Sequence, residues 1–243
     1  MLIGRQRRIE MRSPIILAID TPDLDLAKRW ISATRESIDV FKLGLEFYLS
    51  HGYNGIATIQ QETGAEIFLD LKLHDIPNTV SKAAGVVASL KPRFLTVHAS
   101  GGESMISAAV QAVSATSITA VTVLTSLTDQ DLSEIGFRDK ALSTAQSLAE
   151  LAVKAGATSI VCSPHEISGV RESVGDTIEI ITPGVRPIDE DASDDQRRTM
   201  TPAEALSLGA DFLVIGRPIT SRWSQGPEAM SERARQILHT LQR

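Results

Sequence analysis

Ile67-Phe-Leu-Asp-Leu-Lys-Leu-His-Asp-Ile-Pro-Asn-Thr79 changes character halfway along. Ile67, Phe68, Leu69, Leu71 and Leu73 form a nearly continuous apolar run, as expected of a strand buried on both faces. Asp70 and Lys72 interrupt it two residues apart, a spacing that puts both side chains on one side of a strand. They are therefore expected side by side at its C-terminal end, with Asp75 on the following loop and His74 turned away. Ile76-Pro-Asn-Thr79 then leads into a helical pattern, with Thr79 as a candidate N-cap. Two carboxylates bracketing an ammonium are costly to bury. Asp-x-Lys alone is compatible with a structural ion-pair cluster or with a reactive site.

Working outward, Ile15–Ile19 is a short apolar strand ending at Asp20, and Thr21-Pro22 offers a helix start. Leu24, Ala27, Trp30, Ile31 and Thr34 follow at helical spacing. Further strands are expected at Ile38–Lys42, Phe94–His98, Ile118–Leu124, Ser159–Cys162, Ile178–Thr182 and Phe212–Ile215. Helical patterns follow Gly102, cover Ser143–Ala155 with Gly156 as the stop, cover Pro202–Leu208 before Gly209, and run from Pro227 to Leu241. Eight short apolar strands alternating with helices, with no linker or shift in composition, predict a single α/β domain, a (β/α)8 TIM barrel over residues 14–243. Residues 1–13 read as a disordered basic arm, with Arg5, Arg7, Arg8 and Arg12 and an alternative start at Met11.

In such a barrel the chemistry lies at the C-terminal ends of the strands. Here they carry Asp20, Lys42, Asp70 with Lys72, His98, Thr125, Arg186 and Gly216-Arg217. A purely structural barrel requires none of these on one rim. Gly216-Arg217 follows strand eight, a place where barrels bind phosphate: glycine admits the oxygens to the backbone and arginine offers a planar fork of donors. Between Arg186 and Pro202 lies a long polar segment containing Asp189, Asp191, Asp195 and Gln196, which reads either as a plain mobile loop or as a lid loop after strand seven from which Gln196 could reach a phosphate. His98 reads equally as a base or as a hydrogen-bonded structural histidine.

The 243 residues are 42% hydrophobic and 22% charged, with net charge −6. This is a globular composition with ample core, and the acidic balance argues against a nucleic-acid surface. The single cysteine, Cys162, allows no internal disulfide and reads as a packed thiol. No apolar run of about 18 residues suggests a membrane span and no secretory h-region is visible, so a cytoplasmic location is the expectation. No metal-ligand spacing appears.

The Asp70–Thr79 segment resembles the active-site stretch of the orotidine 5′-phosphate decarboxylase family. The resemblance extends to Leu17–Asp20, Phe41–Gly44, Val97–Gly102, Thr122–Ser126, Thr182–Pro187, Asp195–Arg198 and Val214–Pro218. It implies decarboxylation of orotidine 5′-phosphate to UMP, the last step of pyrimidine nucleotide synthesis, without metal or cofactor. Lys42, Asp70, Lys72 and Asp75 would form the charged network beside the scissile carboxylate, with Lys72 protonating C6. Asp20 and Lys42 would contact the ribose hydroxyls. Thr125 matches the pyrimidine contact, with Ser126 and Thr128 as alternatives. Arg186, Gln196, Gly216 and Arg217 would grip the phosphate. The family's pattern also places Asp75 and Thr79 in the neighbouring subunit's site, which implies a homodimer.

Two other readings compete. A related barrel family processes keto-sugar phosphates through an enediolate held on Mg²⁺, also with D-x-K-x-x-D. It would need a carboxylate where Lys42 ends strand two, and Glu46 is four residues too late. A non-catalytic phosphosugar-binding barrel would be expected to have lost its costly buried charges.

Overall fold

The computed structural model describes residues 13–187 and 200–241. Strands and helices alternate as β1 (Ile15–Ala18), α1 (Leu24–Thr34), β2 (Val40–Gly44), α2 (Leu45–Thr63), β3 (Glu66–Leu73), α3 (Pro77–Ala88), β4 (Phe94–His98) and α4 (Glu103–Gln111). They continue as β5 (Ser117–Val121), α5 (Asp129–Glu134), α6 (Ala141–Lys154), β6 (Ser159–Val161), α7 (Ile167–Val174), β7 (Glu179–Pro183), α8 (Pro202–Ser207), β8 (Phe212–Ile215), α9 (Arg217–Thr220) and α10 (Pro227–Thr240). The eight strands are parallel and close in sequence order, with β1 paired to both β2 and β8. This is the (β/α)8 barrel expected from the strand count.

The period-two alternation of each strand builds two cores. Ile16, Val40, Phe68, Phe94, Ile181 and Phe212 point into the barrel and pack on one another. Leu17, Phe41, Leu43, Ile67 and Leu69 face outward and join Ile31, Ile56 and Ala84 of the surrounding helices. Each fully buried side chain of this size contributes about 1.5–3 kcal/mol.

Arg93, just before β4, closes the N-terminal floor. Its guanidinium lies 5.1 Å from the Phe94 ring centre and 5.3 Å from that of Phe212. It pairs with Glu66 at 3.2 Å and Glu179 at 3.4 Å, both at strand starts. With the floor plugged by this cluster, chemistry is left to the opposite end.

The sequence expectations differ from the structure at several boundaries. Thr21 does not cap α1. Asp23 does, its carboxylate accepting from Leu26 N–H at 2.9 Å, while Thr21 Oγ1 accepts from Asp23 N–H. Thr79 does not cap α3 either. Pro77 occupies the first turn and holds Ile76 extended as the cap residue, so Thr79 lies inside the helix on an exposed face. Strand five ends at Val121, three residues early. Helix α2 had no counterpart in the pattern. Gly52 (φ 59°, ψ −154°) breaks it with a kink, and Leu45 and Leu49 in its first half are exposed.

Ser13, counted with the arm by the sequence reading, is buried, and its Oγ accepts from Ile15 N–H at 3.2 Å. The remainder of the expected arm and the expected lid segment, with Gln196, lie outside the described residues. The two flanks of that segment meet: Val185 bridges Met200, and Arg186 N–H donates to Met200 O at 3.0 Å.

Candidate active site

The inward rows of β1 to β4 begin apolar and turn charged near the top of the barrel. Ile16 is followed by Ala18 and Asp20, Val40 by Lys42, Phe68 by Asp70 and Lys72, and Phe94 by Thr96 and His98. Register aligns the charges, since Ala18 pairs with Lys42 and Gly44 with Asp70. Lys42 Nζ lies 3.2 Å from Asp20 Oδ1 and 3.7 Å from Asp70 Oδ2, and Lys72 Nζ lies 2.8 Å from Asp70 Oδ1. Three strands thus supply one chain of alternating charge, Asp20, Lys42, Asp70 and Lys72.

Asp70 is the pivot, with its side chain only 12% exposed. Burial opposes its charge, but Lys42, Lys72 and the hydroxyl of Thr96 together outweigh burial and hold the carboxyl below its ordinary range. It stays ionised at neutral pH and keeps Lys72 beside a fixed negative charge. Thr96 donates to Asp70 Oδ1 at 3.0 Å and accepts the Lys72 backbone N–H at 2.8 Å. Sequence reasoning missed Thr96. The only available signal was its place two residues before His98 on the inward row.

His98 is pushed below the ordinary histidine value, first by burial and then by its electrostatic interactions with His74 and Lys72, with Asp70 opposing. It is a neutral imidazole at neutral pH. His74, expected to turn away, packs on His98 with ring centres 5.3 Å apart. The strict alternation that predicted otherwise ends at Lys72, whose φ is 48°.

Above the charges is a cavity of about 310 Å³. One wall is Asp20, Lys42, Asp70 and Lys72, and the floor includes Phe68, Val121 and Val161. Thr125, Arg186, Gly216 and Arg217 complete the lining. Among the alternatives to Thr125, Thr128 is engaged as the N-cap of α5, bonded to Asp131. Gly216 meets a close approach: a Cβ there would come within 3.3 Å of the Ala18 Cβ and 3.7 Å of Asp20 Oδ2. A second cavity of about 210 Å³ shares the four charged residues and extends to Gly44–Phe47.

Asp75 and Thr79 are not brought to this cavity. Both are exposed on the rim, where Asp75 Oδ1 accepts from Ile76 N–H. Cys162 is fully buried just past β6, and burial pushes its thiol well above the ordinary value, as expected of a packed thiol. Among the described residues, no group of three or more His, Cys, Asp or Glu is placed to hold a metal ion. None of the described helices is long and apolar enough to cross a membrane.

A closed parallel barrel with an alternating lysine–carboxylate chain and an arginine-bearing rim at its C-terminal face defines the class as a (β/α)8-barrel enzyme site. Comparison with known proteins then gives the family. The model for "Orotidine 5'-phosphate decarboxylase / HUMPS family" matches residues 13–233, and the chain belongs to that family. The chain is 49% identical over 219 residues to orotidine 5'-phosphate decarboxylase of Thermobifida fusca, covering 90% of this chain and 94% of that one. It is 46% identical to the protein of that name from Sphingopyxis alaskensis over 232 residues, 95% of this chain and 100% of the other. Among solved structures, orotidine 5'-phosphate decarboxylase from Lactobacillus acidophilus superimposes with TM-score 0.78 at 35% identity, covering 93% of this chain and 99% of that chain.

Proposed function

We propose that this chain decarboxylates orotidine 5′-phosphate to UMP, with Lys72 as the proton donor. The observation that carries the reading is the chain Asp20, Lys42, Asp70 and Lys72, held between 2.8 and 3.7 Å beneath an arginine-bearing rim. When the C6–CO2 bond breaks, its electron pair stays in an in-plane orbital on C6 that the ring π system cannot delocalise. A fixed ammonium stabilises that charge and then transfers a proton to it. CO2 departs, UMP gains the C6–H bond, and Lys72 regains its proton from solvent. Asp70 holds the Lys72 Nζ at 2.8 Å and stands close to the substrate carboxylate, disfavouring the ground state. The step requires no electron sink.

In the same reading Asp20 and Lys42 bind the ribose hydroxyls and Thr125 meets the pyrimidine. Arg186, Gly216 and Arg217 hold the phosphate, together with Gln196 from the segment outside the described residues. That remote grip supplies binding energy expressed at the reacting carbon.

Asp75 and Thr79 serve the site of a second copy, which makes a homodimer the catalytic unit. Their exposure beside Ile76 (65% exposed), and the exposed Leu45 and Leu49 on the adjoining α2, support a partner on this face. Tyr53 Oη and Ser89 Oγ, 2.9 Å apart, tie α2 to α3 there.

The family's breadth keeps a second reading in view, an enediolate step on a divalent cation with a keto-sugar phosphate. The Lys42 ammonium, seated between the two carboxylates such a cation would use, opposes it. The deciding experiment is the ultraviolet absorbance decay of orotidine 5′-phosphate with purified protein, with and without excess EDTA. Equal decay to UMP in both is expected. Decay abolished by EDTA, or no decay from a folded dimer, overturns the proposal.

A further inference from the structure

The β3–β4 ladder is irregular at the point where the charged network sits. Phe68 pairs with Phe94 and Leu69 with Leu95, but the next pair is Leu73 with Val97. Asp70, Leu71 and Lys72 therefore face the single residue Thr96. Two extra residues on β3 form a bulge, a device that re-aims side chains at the cost of ladder hydrogen bonds. Within it Lys72 takes φ 48°, the left-handed region that L side chains rarely adopt. Lys72 N–H no longer points at a β4 carbonyl. It donates to Thr96 Oγ1 at 2.8 Å, and the same hydroxyl donates to Asp70 Oδ1 at 3.0 Å.

We propose that Thr96 is a positioning residue for the reaction, its hydroxyl locking the bulge that sets the Lys72 ammonium against Asp70. The inference rests on the proposed roles of Asp70 and Lys72. One fully buried hydroxyl, using its donor on one site residue and an acceptor position on the other, ties the carboxylate and the lysine backbone into one rigid unit. Valine has nearly the same shape but neither function. Serine retains both. Thr96 is not among the residues lining the cavity, so its effect passes through Asp70 and Lys72, which do line it.

A displacement of about 1 Å at a reacting group can cost about 100-fold in rate. Thr96→Val is accordingly expected to lower kcat about 10–100-fold. KM should change by less than about threefold, because the phosphate-binding residues of β7 and β8 are untouched. Thr96→Ser should retain kcat within about threefold. A second readout needs no substrate. Hydrogen exchange at the Lys72 amide, followed by NMR on the intact protein, should accelerate at least about tenfold in Thr96→Val and stay at the wild-type rate in Thr96→Ser. Thr96→Ala provides the same test should the valine variant fail to fold.

Wild-type kcat in a folded valine or alanine variant of an active enzyme overturns the proposal, as does an unchanged Lys72 exchange rate in either. A wild-type protein inert toward orotidine 5′-phosphate overturns the assigned reaction instead. The exchange measurement then decides separately whether Thr96 pins Lys72.

Discussion

Replacing Lys72 by alanine removes, in a single step, the group proposed both to donate the proton and to stabilise charge at the reacting carbon. General acid catalysis contributes about 10²–10⁴-fold, and a preorganised electrostatic contact about 10²–10³-fold. One ammonium performs both tasks, so the factors overlap and do not multiply, and the expected loss in kcat is about 10²–10⁴-fold. The fold should survive. Asp70 loses its partner at 2.8 Å but keeps Thr96 at 3.0 Å and Lys42 at 3.7 Å. Because the Lys72 side chain is 31% exposed, solvent already screens the pair, and the stability change is about 1 kcal/mol. For a chain of this length that corresponds to roughly 2–4 °C in Tm. The assay is absorbance decay of orotidine 5′-phosphate under saturating substrate, paired with a thermal melt. A folded variant with kcat within tenfold of wild type would refute the proton-donor role.

Three further outcomes are expected. Mixing inactive Lys72→Ala and Asp75→Asn subunits should restore about a quarter of wild-type activity, since random exchange makes half the dimers hybrids, each with one unmutated site. No recovery despite demonstrated exchange would remove the shared site. Arg217→Ala should lower kcat/KM for orotidine 5′-phosphate about 10–100-fold, the worth of a charge-assisted hydrogen bond, and leave orotidine itself unchanged; equal losses on both would take Arg217 out of the phosphate grip. Asp70 has a depressed carboxyl pKa in the folded state, so its contribution to stability is complete above the ordinary carboxylate value and disappears as pH falls through the folded value. Melting curves from pH 6 down to pH 3 should therefore drop more steeply for wild type than for Asp70→Asn, and parallel curves would contradict the ionised, paired state of Asp70.

Much of the barrel was legible because its signals are local. Phe94–His98 and Phe212–Ile215 occupy the strands expected from their apolar runs. Gly156 and Gly209 stop α6 and α8 with φ of 98° and 109°. The shared side of Asp70 and Lys72 also followed from spacing. Cap assignments were less secure, because Thr21 and Asp23 both have capping chemistry and only backbone geometry chooses between them. Thr79 failed for another reason: Pro77 starts the helix with Ile76 as the cap residue, three residues before Thr79. Helix α2 escaped notice because Gly52 divides it.

The order of the eight strands, the charged residues at their ends and the family to which they point are all readable along the chain. These depend on periodicity and on motifs a few residues long. Folding was needed to place Lys42 between Asp20 and Asp70, to bulge β3 at Lys72, to bring His74 onto His98 and to let Thr96 hold Asp70 and Lys72 at once. Each depends on the register between strands 22 to 28 residues apart in the chain. Closing a barrel fixes that register through constraints spread over all eight strands, and no short stretch of sequence carries them.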